Sequence, residues 1–161
     1  MKHRRLFSGF FLAAALVTAA LIFWFSAQKG AASQLQSDGI SLRLARLSPR
    51  FAGMSEAARQ GVLEALSVAV RKGAHFGEFA LLSLNLALHL RLRGRALPAR
   101  RAVQVAWGLG TLYAVSDELH QLFVSERAAR LLDVIIDSLG ALAGALLACW
   151  LLARILQRMG K

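Results

Sequence analysis

The residues best equipped for chemistry lie in two stretches. Between Ser116 and Gly140 the chain places Asp117, Glu118, His120, Gln121, Arg127, Arg130, Asp133 and Asp137 between two apolar runs, and between Arg71 and Glu78 it places Lys72 and His75. His75 has the proton affinity of a general acid/base, and Glu78 or Asp117 is the carboxylate that would orient it, so these three are the candidate catalytic residues. Lys72, Glu118, Gln121, Arg127, Asp133 and Asp137 are the candidates for holding a substrate; Arg forks and Lys suit phosphate. A second chemistry uses His75, Glu78, Asp117, His120, Asp133 and Asp137 as a mixed nitrogen and oxygen set for Zn²⁺ or Mn²⁺, with a bound water as the nucleophile. The chain has no HExxH, and the His75/Glu78 spacing is weakly specific for a metal. No cofactor is thereby defined.

These groups need elements that hold them inside an apolar setting. The 161 residues are 57% apolar with mean hydropathy +0.50, too hydrophobic for an ordinary soluble domain. Leu6 to Phe25 is uncharged and long enough to cross a hydrocarbon core of about 30 Å. Lys2, Arg4 and Arg5 precede it as in a signal peptide, but its length and the lack of a small-residue cleavage site favour an uncleaved anchor, with Phe23, Trp24 and Phe25 at the far interface. Three further spans follow at about 73–90, 102–124 and 134–153. The expected fold is all-α: one integral membrane four-helix bundle over residues 1–161, with a long, partly helical connection between spans 1 and 2.

In that connection, Gln28 to Gly30 and Ser33 to Gly39 read as solvated loop. Ile40 to Leu47 reads as a strand or a short interfacial helix. Ser55 is a plausible N-cap, and Val62, Leu63, Leu66 and Val70 recur at helical spacing, as in an amphipathic helix on the membrane surface or on the bundle. The formal charge of +11 resides in short blocks. Blocks at the start, at Arg91 to Arg101 and in the tail (Arg154, Arg158, Lys161) share one side under four-span topology, which puts both termini in the cytoplasm by the positive-inside rule. That distribution fits anionic lipid better than nucleic acid, and no nucleic-acid partner is expected. His3 and His89 read as interfacial, Trp107 and Trp150 as core or belt aromatics. Lone Cys149 reads as a packing residue.

Alternating spans bring Ser26 and Gln28, the 71–78 stretch, Asp117 to Gln121, and Asp133 with Asp137 to one membrane face. Six of the nine carboxylates (Glu78, Asp117, Glu118, Glu126, Asp133, Asp137) collect there. At about 100° per residue, Arg71, His75, Glu78, Asn85 and His89 share a stripe, as do Tyr113, Asp117, His120 and Gln121. Asp133 and Asp137 align with Gly140, Gly144 and Ala148, a small-residue line that should press against another helix. Glu118 falls off its sector, toward lipid or a neighbouring helix.

RKGAHFGEF (71–79), SDELHQLFVSERAARLLDVIIDSLGALAG (116–144) and FSAQ (25–28) together resemble the VanZ-like family of bacterial integral membrane proteins, over nearly the whole chain. Lys72, His75, Phe76 and Glu78 match its first motif, Asp117, Glu118 and Gln121 its second, and Arg127, Asp133, Asp137 and Gly140 its third. Phe79 stands where the family commonly has Tyr, and Asp137 where it commonly has Asn. The resemblance implies a multi-pass protein of the cell (inner or plasma) membrane. The family's title comes from a protein linked to low-level resistance to the glycopeptide teicoplanin, so relevance to glycopeptide susceptibility is implied; a biochemical activity is not.

Four readings stand. The charges bind or process an anionic cell-envelope lipid or lipid-linked precursor; they hold a metal for intramembrane hydrolysis; they form a structural network in which Arg71, Lys72, Arg127 and Arg130 neutralise carboxylates; or they pass protons or a small solute. Membrane lipids are the expected partners in the first. The sequence sets no oligomeric state.

Overall fold

The computed structural model describes residues 2–159; Lys161, counted above in the basic tail, and the Lys2 side chain lie outside that description. The described chain is all-α. Its helices are α1 (Lys2–Ser26), α2 (Gly30–Ala45), α3 (Pro49–Ala52), α4 (Glu56–Leu92), α5 (Ala99–Gln121) and α6 (Leu131–Met159). Two of them, over His3–Ser26 and Leu131–Met159, are long and apolar enough to cross a membrane. The polar groups that interrupt α4 (His75, Glu78, Asn85, His89) and α5 (Asp117, Glu118, His120, Gln121) keep those two helices below that mark.

Helices α4 and α6 share the most extensive interface. Its basis is the absence of side chains on α6: a Cβ added at Gly140 would fall on the Phe76 carbonyl oxygen, and one at Gly144 on that of Ala80. The line Asp137, Gly140, Gly144 and Ala148 is buried throughout, as its spacing predicts. Contacts rise together in number along both helices, so α4 and α6 run parallel. On α5, Gly110 admits Ser83 and Ala141 in the same manner. The core is correspondingly made of small residues, with Ala87, Ala102, Ala106, Ala145 and Ala148 forming one cluster and Phe79, Leu82, Ala114 and Ala141 meeting Ala15 and Ile22 of α1 in the other. Large apolar side chains point outward instead, among them Leu6, Phe10, Leu16 and Trp24 on α1 and Leu139, Leu146 and Leu147 on α6. Contiguous apolar surface of that extent is rare on soluble proteins.

The connection differs from its sequence reading. Ser33 to Gly39 is not loop, and Ile40 to Ala45 takes the helical rather than the strand alternative: both belong to the body of α2. The cause is a polar interface with α4. The Gln34 amide donates to Asp38 Oδ1 (2.8 Å) and Ser67 Oγ (3.1 Å), the Ser67 hydroxyl donates to Asp38 Oδ1 (2.7 Å), and Arg71 donates to Gln34 Oε1. Buried Ser37 and Ser41 bond their own helix carbonyls, so α2 packs without an apolar face. The amphipathic helix and the second span are also one element: α4 runs unbroken for 37 residues from the Ser55 N-cap, whose hydroxyl accepts the Ala58 N–H at 3.4 Å. At 1.5 Å per residue it is about 55 Å long. No proline interrupts it, and Gly61, Gly73 and Gly77 face open space rather than a break.

At the opposite end of the bundle, Arg4 donates to the Arg91 carbonyl and Arg91 to that of Leu97, closing the α4–α5 turn over the start of α1. His89 is not a free interfacial ring: its Nδ1 lies 3.0 Å from Ser8 Oγ.

Candidate functional site

The site forms where α4 passes the start of α6. Lys72 Nζ lies 2.8 Å from Asp133 Oδ1, and one turn further His75 Nδ1 lies 3.9 Å from Asp137 Oδ2. Asp133 sits in the first turn of α6, where a carboxylate also favours the helix dipole. The end of α5 supplies Asp117, Glu118 and Gln121, all buried. The Gln121 amide donates to Asp117 Oδ2 (3.1 Å), and Glu118 Oε2 accepts the Arg130 backbone N–H (2.7 Å), fixing the chain as it enters α6. Glu118 therefore faces a neighbouring segment, not lipid.

The α5–α6 loop closes the site through Glu126, one of the six carboxylates expected at this face but given no role in the sequence reading. Glu126 has φ +63°, a left-handed conformation uncommon for a side chain of its size. Its Oε2 accepts the Ala31 N–H (3.0 Å) at the start of α2, while Gly30 N–H donates to Ser125 O (3.3 Å). Only glycine fits at position 30, because a Cβ there would meet the Glu126 carbonyl oxygen. Arg127 then reaches back to the end of α1, its Nε donating to Gln28 O (3.3 Å) and Nη2 to Phe25 O (3.4 Å). Partial burial, then the neighbouring Arg71 charge, press the Arg127 guanidinium below its ordinary pKa. A guanidinium in that condition is attractive to an anion.

Two adjoining cavities result, of about 120 and 180 Å³. Lys72, Gln121, Arg130, Asp133 and Asp137 line the first; Glu78, Gln28 and Ser37 line the second; Arg71, His75 and Arg127 line both. Asp117 and Glu118 are buried behind them and belong to neither lining. Several inward polar atoms have no hydrogen-bond partner: Arg71 Nε, His75 Nδ1, both Asp137 carboxylate oxygens, Ser26 Oγ and His120 Nε2.

Three expectations change. The carboxylate nearest the His75 ring nitrogens in an ion-pair geometry is Asp137, not Glu78 or Asp117. Of the four cations expected to neutralise carboxylates, only Lys72 does so among the described residues; Arg127 serves backbone carbonyls and Arg71 serves Gln34. The six-residue metal set is not assembled: no group of three or more His, Cys, Asp or Glu side chains among the described residues is placed to hold an ion. Sequence reasoning also missed Gln34, although its i, i+4 pairing with Asp38 was readable as a helical signal.

The model of the VanZ/LLP1 family matches residues 11–153, most of the chain. The chain belongs to the VanZ/LLP1 family. No curated protein matches it, and no solved structure does. The family match takes in the Arg71 to Phe79 stretch and the whole 116–144 segment, so both walls of the cavity lie inside it. With the two apolar helices, membership makes this a membrane protein.

The Lys72–Asp133 pair makes a first measurable prediction. Both side chains are about a third exposed or less (31% and 26%), so screening is incomplete and breaking the pair leaves Asp133 short of a partner. Lys72→Met should cost about 1 kcal/mol in thermal unfolding of the detergent-solubilised protein. Pairing it with Asp133→Leu should recover most of the loss; an unchanged melting curve for the single variant would show that the pair adds nothing to stability.

Proposed function

We propose that this VanZ/LLP1 protein is a four-span protein of the bacterial cell membrane with both termini cytoplasmic, and that its cavity binds the phosphate of an anionic envelope lipid or lipid-linked precursor. The observation carrying this reading is that Arg71 and Arg127, which line both cavities, have no carboxylate partner among the described residues. Guanidinium pairs without an internal counter-ion suit bidentate phosphate recognition. His75, the ring shared by both cavities, is the acid/base where the bound molecule is processed. The four-span orientation is supported by the parallel run of α4 and α6, which α5 must cross between, and by the acid-free basic blocks at Arg4–Arg5, Arg91–Arg101 and Arg154–Arg158.

A structural network is the second reading, and the bonds of Glu118, Gln121 and Glu126 favour it locally. It leaves the partnerless atoms of Arg71, His75 and Asp137 unexplained, and buried polar atoms without partners are uncommon in a purely structural role.

Mass spectrometry of lipids co-extracted with the purified protein tests the proposal. Anionic phospholipid or lipid-linked phosphate should be enriched over the bulk membrane, and Arg127→Ala should lower that enrichment about tenfold. Because Arg127 also holds the end of α1, Arg71→Ala serves as a parallel variant. An unenriched wild type, or enrichment untouched in both variants, would remove the phosphate site. If the cargo is a wall precursor, the cellular counterpart is a shift in teicoplanin susceptibility that these variants abolish.

A further inference from the structure

Arg71 and Arg127 account for an anion on one side of the first cavity but leave the other side unexplained. Asp137 is fully buried there, and neither carboxylate oxygen receives a hydrogen bond. The one Lys, Arg or His nitrogen within 4 Å among the described residues, His75 Nδ1, stands 3.9 Å away and is itself buried without a partner. The one ammonium in the lining, Lys72, is bonded to Asp133. Buried polar atoms in proteins are paired, so three orphaned atoms on two residues that line one cavity point to an entering molecule that supplies the missing groups. Their types specify those groups. Carboxylate oxygens need donors, whereas an imidazole nitrogen can donate or accept depending on tautomer; a hydroxyl does both, while an ammonium only donates.

We propose that the cavity recognises a phosphodiester headgroup carrying free hydroxyls, a phosphoglycerol or a sugar phosphate, with Arg71 and Arg127 on the phosphate and Asp137 with His75 on the hydroxyls. This rests on the phosphate reading above and adds the class of headgroup. Asp137 is the specificity-determining residue: a headgroup lacking hydroxyls leaves its oxygens buried and unpaired, and such mismatches discriminate strongly.

The test is native mass spectrometry of the purified full-length chain titrated with phosphatidylglycerol, phosphatidylethanol, phosphatidylethanolamine and phosphatidylcholine. Phosphatidylethanol has the same diester and charge as phosphatidylglycerol but no hydroxyl. Phosphatidylglycerol should bind about tenfold tighter than phosphatidylethanol. That ratio should fall to about one in Asp137→Leu and drop markedly in Asp137→Asn, which keeps the branched polar shape should the leucine variant not fold. Equal binding of the two lipids by the wild type, a ratio unaltered in the variants, or a preference for phosphatidylethanolamine overturns the hydroxyl assignment while leaving the phosphate site intact. Phosphatidylethanol binding unaltered in both Arg71→Ala and Arg127→Ala overturns the phosphate site, and this inference with it.

Discussion

Gly144→Ala should destabilise the protein by about 3 kcal/mol or more, a large effect for one methyl group. The added Cβ would land on the backbone carbonyl oxygen of Ala80, and backbone cannot swing aside as a flexible side chain can. Helices α4 and α6 must therefore move apart, opening the contacts at Gly140–Phe76 and in the Ala87–Ala145 cluster along with it. Thermal unfolding in detergent, followed by tryptophan fluorescence, reads the loss. Gly77→Ala is the matched control: it lies on α4, where an added Cβ meets nothing within 4 Å, and should stabilise by up to about 1 kcal/mol through helix propensity. The same chemical change then acts with opposite sign at two positions. A wild-type melting curve for Gly144→Ala would mean that the two helices do not touch there.

Asp137→Leu should move stability the other way. A carboxylate with no donor on either oxygen, fully buried at a helix interface, is desolvated without return. Leucine has the same branching with methyl groups in place of the oxygens, and replacing a buried polar group that has no partner by an apolar one of like shape is often stabilising, here by about 1–3 kcal/mol. Higher stability in the unliganded protein with lost headgroup preference is the behaviour of a residue kept for binding rather than folding. A fall of 3 kcal/mol or more would instead make Asp137 a structural partner of His75.

Much of this was legible in the chain. Leu6 to Phe25 declares a span by its lack of charge, and the Asp137–Gly140–Gly144–Ala148 spacing names the face of α6 that is pressed against a neighbour. The convergence of the 71–78 and 116–137 stretches follows from the alternating direction expected of successive helices. What was not legible depends on pairings between distant residues. The polar Ser33 to Gly39 part of α2 reads as loop because its helix is stabilised by Ser67 and Arg71, some thirty residues away. The split of α4 at Arg71 and Lys72 mistook charge for a boundary; both side chains find partners off the helix, so the backbone has no reason to stop. Arg127 reads as a counter-charge to carboxylates because nothing in sequence shows that the end of α1 will offer it two carbonyls.

The unbroken α4 also constrains how anything enters the cavity. A helix without a break behaves as a beam, so the half that carries α2 cannot hinge against the other half without breaking its own hydrogen bonds. Every wall of the first cavity is a helix except the Leu122 to Arg130 segment, which is held to α1 and α2 by a few hydrogen bonds through Glu126 and Arg127. Displacing that segment would cost the Glu126 bond to the Ala31 N–H and would free Glu126 from a left-handed conformation its side chain disfavours.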